Sequence, residues 1–323
     1  MTKFIILGDL HLRSKTPERR KDNIFETQLN KLSQVMNYAK KNNIEYIIQV
    51  GDVFDQSCPD REVLNQVTKL LYESRDKVEF IVVYGQHDLY MRSYKSLNRT
   101  GLDLLYQAGL VEIANERPII FNDNIALYGM SYGEDFPQIN FEQSEKINVL
   151  LSHEPVIIPK KLEKEKIFEG LVRKLNEKER KTKETFSLFI NGDWHSPYYE
   201  ENRRVINPGV MTRLSLVEKD IIPGFEVLEI KENGEFDCKR VDLKCKDFDE
   251  IFDTRDGYEV TEGKMEDRRS FREFLDGLRK GIKGEEGISF YDNVLKWLET
   301  EENEEIKGIV MEALKYAKEK GSG

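Results

Sequence analysis

Ile47-Ile48-Gln49-Val50-Gly51-Asp52-Val53-Phe54-Asp55 is an apolar run that breaks at a glycine and delivers a carboxylate. A run this short and this apolar, closed by glycine, reads as a buried strand opening into a loop that carries Asp52. The same arrangement recurs along the chain. Phe4-Ile5-Ile6-Leu7 ends at Gly8 and leads to Asp9-Leu10-His11, and Phe80 to Tyr84 leads to Gly85-Gln86-His87-Asp88. Val149 to Leu151 leads to Ser152-His153-Glu154, and Phe186 to Ile190 leads to Gly192-Asp193-Trp194-His195. All four histidines fall in these segments, which histidines placed only for packing would not do.

Between the first runs lie longer amphipathic stretches. From Ile24 to Asn42, apolar residues at Phe25, Leu29, Leu32, Val35, Met36 and Ala39 recur at helical spacing, and Arg61 to Arg75 reads as a second helix. Strand and helix in alternation predict a mainly parallel sheet, whose ligand site lies beyond the carboxyl ends of its strands. Further expectations are a short helix over Leu102 to Ala108, strands over Ile119 to Phe121 and Ile125 to Tyr128, and a solvated helix over Lys160 to Glu184. Asn233-Gly234, between Glu226 to Ile230 and Phe236 to Val241, signals a hairpin. Beyond Phe248 the pattern becomes three amphipathic helices built on Phe271 to Ile282, Tyr291 to Leu298 and Ile306 to Leu314. The expected division is a core over 1–247 and a helical tail over 248–323.

At 323 residues with 39% hydrophobic side chains, the chain can bury a substantial core. A net charge of -10 argues against a protein that coats nucleic acid by itself, because phosphate binding needs concentrated Lys and Arg. Cys58, Cys238 and Cys245 are sparse and odd in number, as expected of reduced thiols in the cytoplasm. No run approaches the roughly 20 apolar residues of a membrane span, and Met1 leads into the first strand without room for a secretory signal.

Asp and His suit manganese, iron, zinc or magnesium, and the motifs contain no cysteine. Asp9, His11, Asp52, Gln86, His153, Asp193 and His195 offer more donors than one ion takes. Two ions about 3.5 to 4 Å apart, sharing a carboxylate, could clamp a phosphoryl group and acidify a shared water. The ordered motifs Asp-x-His, Gly-Asp, Gly-x-His-Asp, His and a final x-x-His resemble the calcineurin-like metallophosphoesterase superfamily over roughly Met1 to Ser215. Gly51 to Asp55 followed by Pro59, Asn207-Pro208-Gly209-Val210 with Arg213, and the helical tail are similar to its SbcD-type nuclease subunits, which belong to the double-strand-break repair complex.

That resemblance implies an α/β fold of the α+β sandwich kind, with mixed β-sheets flanked by helices and followed by the tail. It implies one metal held by Asp9, His11 and His195, a second held by Gln86, His153 and Asp193, and Asp52 as the bridge. The ions would be manganese, with magnesium as the alternative. His87 would be catalytic, protonating the leaving oxygen or stabilising charge on the phosphoryl group, and Asp55 and Asp88 would brace the ligand loops. Implied partners are DNA, an SMC-like ATPase of the SbcC type docking on the tail helices, and a second copy of the chain. Two positions depart from the family pattern, Gln86 for asparagine and Asp193 for histidine. Both fall on the second metal, and predict a site that favours harder ions or is weakly occupied.

Arg13, Lys15, Arg19, Arg20 and Lys21 follow His11, and Arg92, Lys95 and Arg99 follow His87. Such clusters are ordinarily solvated faces. Beside a phosphodiesterase centre they become candidate contacts for a DNA backbone, with Tyr90 or Tyr198 stacking on a splayed base. The leading expectation is thus a metal-dependent DNA nuclease subunit. The alternatives are a phosphatase or small-substrate phosphodiesterase on the same core, and a scaffold that has lost productive metal chemistry. The plain alternative for the tail is a cap packed back on its own core.

Overall fold

The structure is a computed structural model that describes residues 1–137, 139, 146–154, 186–200 and 204–254. The expected helix over Lys160 to Glu184 and the tail helices beyond residue 254 lie outside the described residues.

Two six-stranded sheets form the core. The first takes β1 (Thr2–Leu7), β2 (Tyr46–Gln49), β3 (Glu79–Val82) and β4 (Glu112–Ile113) in parallel order, and extends beyond β1 through the antiparallel β11 (Gly224–Ile230) and β12 (Phe236–Asp242). The second has a parallel centre of β6 (Ile125–Met130), β7 (Ile147–Ser152), β8 (Leu188–Asn191) and β10 (Val205–Asn207). Antiparallel β5 (Ile119–Phe121) and β9 (Tyr198–Glu200) close its edges.

The pleat of β1 explains how the layers stack. Alternate residues point to opposite faces of a strand. Phe4 and Ile6 pack with Leu127, Val149, Leu151 and Ile190 of the second sheet, whereas Ile5 and Leu7 pack with the helices. Helices α1 (Ile24–Asn42) and α2 (Arg61–Ser74) supply that outer layer through Phe25, Leu32, Val35, Met36, Val63, Val67 and Leu71. Asn23 starts α1 by accepting the N–H groups of Phe25 and Glu26, and Asn43 ends it in the left-handed conformation. A third helix, α3 (Gly101–Gln107), follows the loop after β3. Phe4 to Leu7 are buried whichever face they serve, so the continuous apolar runs of the sequence reflect a sheet covered on both sides.

The core extends beyond residue 247. Phe248, Ile251 and Phe252, in and just after α4 (Phe248–Ile251), are buried with Leu216 packed against them. Backbone hydrogen bonds from Lys21 N to Ile251 O and from Asp253 N to Arg19 O tie this segment to the loop before α1. The compact unit accordingly runs from Met1 to Asp256. The apolar periodicity changes near Phe248, and that change marks a change of partner rather than the edge of the fold.

Burying a phenylalanine or isoleucine side chain contributes about 1.5–3 kcal/mol. A chain ending at residue 247 is expected to unfold at lower urea concentration than one ending at 254, with a stability deficit on the order of 5 kcal/mol. Equal unfolding midpoints would contradict this account of the segment.

Candidate metal centre

Each parallel strand that carries a motif ends in the same place. The backbone N–H groups of Leu10 and His11 donate to Asp52 O at 3.1 and 2.9 Å, and Leu12 N donates to Val53 O at 2.9 Å, so the loops after β1 and β2 are zipped together. Met211 N reaches Asp9 O at 3.1 Å and Val210 N reaches His195 O at 2.9 Å, which adds the Asn207 to Val210 loop. The Asp88 carboxylate accepts Val53 N at 3.2 Å, Phe54 N at 3.0 Å and Gly85 N at 3.0 Å. Gln49 is buried and hydrogen-bonded to Gly51 N at 2.9 Å and to Gly8 O at 3.3 Å. At Gly85 a side chain would collide with the Asp52 carboxylate, so the loop after β3 can approach only as glycine.

The loops deliver their polar side chains into one cluster around Asp52. Its Oδ2 lies 3.7 Å from His11 Nε2 and 3.9 Å from His87 Nε2, while its Oδ1 lies 3.6 Å from His153 Nε2 and accepts His87 N at 2.8 Å. On one side, His11 Nε2 faces His195 Nε2 at 3.1 Å, and His195 Nε2 is 3.8 Å from Asp9 Oδ2. On the other, His153 Nε2 is 2.7 Å from Gln86 Oε1 and 3.9 Å from Asp193 Oδ1. The seven residues read from the sequence as donors thus divide into two groups, with one carboxylate oxygen of Asp52 turned toward each.

Both oxygens of Asp9 and Oδ2 of Asp52 are buried and have no hydrogen-bond partner among the described residues. A buried carboxylate without a donor is costly. Asp9, His11 and His195 also present ligand atoms within 4.8 Å of one another. Donors bound at roughly 2.1 Å to one ion sit roughly 3.0–3.4 Å apart, close to the separation of the two histidine nitrogens. In the second group His153 gives its Nδ1–H to Val50 O at 2.8 Å. Its Nε2 is thereby turned toward the Gln86 carbonyl oxygen and Asp52 Oδ1, atoms that a cation placed there would share. The donor set therefore fits divalent metal in both groups.

Protons compete with a cation for several of these donors. Burial, reinforced by the Asp52 charge and opposed by His153 and His195, pushes Asp9 up to about 7. Burial and the Asp88 charge push Asp52 well above the usual carboxylate range. Burial and the neighbouring rings of His195 and His87 hold His11 well below the usual imidazole range, leaving it neutral and able to ligate. Burial works against charge on His195, but the hydrogen bond to Glu218 and the charge of Asp9 outweigh it and raise the ring to about 9. His87 donates Nδ1–H to Asp55 O at 2.9 Å, and burial together with Arg92 lowers it to about 4.

The remaining candidates scatter. Asp88 ties the loops after β2 and β3 together as described, and the Asp55 side chain pairs with Arg13 while its carboxylate lies within 4.8 Å of ligand atoms of His11 and His87. Arg20 is not available to a nucleic acid. It forms a two-point ion pair with Asp22 at 2.9 and 2.7 Å, donates to Arg213 O, and stacks on Phe252. Its place in the sequence beside other basic residues disguised a buried structural role. Tyr198 is likewise committed, packing against the Tyr128, Phe186 and Phe189 cluster with its hydroxyl accepting from Asn191 at 3.0 Å. Lys15, Arg92, Lys95, Arg99 and Tyr90 remain exposed, and Arg19 is half-buried.

Glu218 escaped the sequence reading. It is buried, and its Oε1 lies 2.6 Å from His195 Nδ1. Its only local signal is Ser215-x-x-Glu218, a capping box on the short helical turn at Leu216–Glu218.

A two-sheet α/β fold that gathers carboxylates and imidazoles beyond its parallel strands defines the metal-dependent phosphoesterase class. The chain belongs to the calcineurin-like phosphoesterase family, which it matches over residues 2–222. It is 29% identical over 137 residues to the DNA double-strand break repair protein Mre11 of Saccharolobus solfataricus, a match covering 41% of this chain and 34% of that protein's length. Among solved structures it is similar to a dimetal phosphatase from Danio rerio, at 12% identity and a TM-score of 0.46, over 74% of this chain and 95% of that one. It is also similar to a putative 5′-nucleotidase from Staphylococcus aureus, at 14% identity and a TM-score of 0.45, over 86% of this chain and 59% of that one.

Asp9 and Asp52, pushed up by burial, and His195, held up to about 9, carry protons that an incoming cation must displace, so metal affinity falls as pH drops through about 9 and again through about 7. Mn2+ is expected to raise the thermal unfolding midpoint, by an increment that shrinks between about pH 8 and about pH 6. An increment independent of pH would argue against these carboxylates as ligands.

Proposed function

We propose that this protein is a metal-dependent DNA nuclease, the phosphodiesterase subunit of an assembly with an SMC-like ATPase. The observation that carries the reading is the arrangement around Asp52, two donor groups sharing one carboxylate with His87 at their rim, in a chain whose curated relative is a double-strand-break repair protein. Bound divalent metal, manganese or magnesium, would supply the Lewis acid that holds a phosphoryl group and activates water.

The chain's own groups supply the rest. Asp9, His11 and His195 serve one ion and Gln86, His153 and Asp193 the other. His87 is half-exposed, and its ring is oriented by the Asp55 carbonyl so that Nε2 looks toward Asp52. At neutral pH its lowered proton affinity leaves Nε2 as an acceptor. An arriving phosphodiester anion raises that affinity, so the ring takes up a proton where it can give it to the leaving oxygen. Lys15, Arg92, Lys95 and Arg99 are exposed and would contact a nucleic-acid backbone, and Tyr90, 43% exposed, would stack on a base.

In the second group, Gln86 Nε2 donates to Asp193 Oδ1 at 2.7 Å. The two residues that depart from the family pattern are thus bonded to each other, and an ion taking the Asp193 oxygen competes with that amide. This supports a second site that favours hard ions and fills less readily than the first.

Linear duplex DNA incubated with the protein and Mn2+ is expected to be degraded. His87→Ala should slow the reaction by roughly 10²–10⁴-fold while leaving Mn2+ binding intact. Cleavage of a small chromogenic diester with none of DNA would replace this reading with a small-substrate diesterase. Inactivity on both, with the partner present and metals varied, would mark a scaffold.

Removing residues 255–323 should leave the core folded and abolish co-purification with the SMC-like ATPase. Undiminished co-purification would reject the tail as the docking element.

A further inference from the structure

The four histidines of the centre are held in three ways. The rings of His153 and His87 rest on backbone carbonyls, Val50 O at 2.8 Å and Asp55 O at 2.9 Å, and His11 is 4% exposed and fixed by burial. His195 is 34% exposed, lies edge-on to the His11 ring, and has its Nδ1 on a side chain rather than a backbone carbonyl. What holds it is Glu218, whose Oε1 lies 2.6 Å from His195 Nδ1.

Glu218 is itself fixed by its surroundings. Its other oxygen accepts the N–H groups of Leu214 and Ser215, the latter at 3.2 Å, and its backbone N–H is taken by the Ser215 side chain. The turn that carries it is wedged between two outer segments. Leu216 packs on Phe248, Ile251 and Phe252, and Arg213 reaches over Phe248 at 5.9 Å while donating to Ile221 O at 2.7 Å. Arg20, stacked on Phe252 at 5.2 Å, donates to the carbonyl of Arg213.

A carboxylate on the far nitrogen of a ligating imidazole fixes the tautomer, aims the ring and raises its basicity toward the metal. We infer that Glu218 is the positioning residue for His195, directing Nε2 toward Asp9 and His11, and that the Phe248–Phe252 segment keeps Glu218 in place. The affinity of the first metal group then depends on a packed segment at the edge of the core. The proposal rests on the reading of Asp9, His11 and His195 as ligands.

A residue that merely capped its turn would affect stability and leave metal affinity alone, so the test measures Mn2+ binding itself. In the full-length protein, free Mn2+ is followed by electron paramagnetic resonance and binding heat by calorimetry, with the metal-free fold monitored by circular dichroism. Glu218→Gln should weaken one class of Mn2+ site by roughly 10–100-fold while the metal-free protein keeps its native spectrum. Leu216→Ala, which spares the carboxylate and loosens its support, should give a several-fold loss at the same class of site.

A folded Glu218→Gln protein with affinity within about twofold of the parent overturns the proposal. Should that variant not fold, unchanged affinity in Leu216→Ala overturns it instead. A parent protein that takes up no Mn2+ refutes the metal-centre reading, and the role of Glu218 falls with it.

Discussion

The structure depends on holding acceptors together that repel one another. Asp52 is 1% exposed and lies within 4 Å of three imidazole nitrogens, with Asp88 and Asp193 adding like charge. Left to themselves these loops would splay, because buried carboxylates and lone pairs at this spacing favour separation or protonation. The backbone bonds from Leu10, His11 and Leu12 and the Asp88 carboxylate prevent it. Stability from two apolar layers, one between the sheets and one under α1 and α2, is thereby used to maintain a site that is unfavourable without a cation.

The strain of this arrangement is visible in the backbone. His11, Asp52 and Asp193 all adopt positive φ, at 44°, 52° and 65°. Such values are uncommon for residues with a Cβ, and they cluster where surrounding structure over-determines the conformation. All three are among the seven candidate donors. Met91 and Arg92, at 51° and 54°, repeat the feature in the loop that follows His87, where the exposed basic and aromatic residues lie.

Support for the centre is graded outward. Nearest are carbonyls and N–H groups that orient imidazoles; next come Asp88, Gln49 and Glu218, buried polar groups whose hydrogen bonds connect loops distant in sequence; outermost are Arg20, Arg213 and the Phe248 to Phe252 segment. The pairing of Gln86 with Asp193 belongs to the innermost level, and it makes these two side chains restrain each other. One half of the centre is therefore built around unpartnered carboxylate oxygens and the other around an amide already engaged.

Strand, helix and loop were legible in the amino-acid order because apolar period and glycine breaks are local properties. Ile24–Asn42 needs only its spacing, and Asp9, His11, Asp52, His153 and His195 need only follow buried runs. That they share one rim follows from a parallel sheet, a rule of topology. Three features could not be read this way. Arg20 looked like a member of a basic patch and Tyr198 like a free aromatic, and Glu218 was not singled out, because each takes its role from a partner that only packing brings to it: Arg213, Asn191 and His195 supply it after folding. The limit of the core near Asp256 has the same origin. Periodicity records which residues want burial, but only the packed chain specifies against what, since burial energy is non-directional and the partner is chosen by shape and by the few hydrogen bonds that geometry allows.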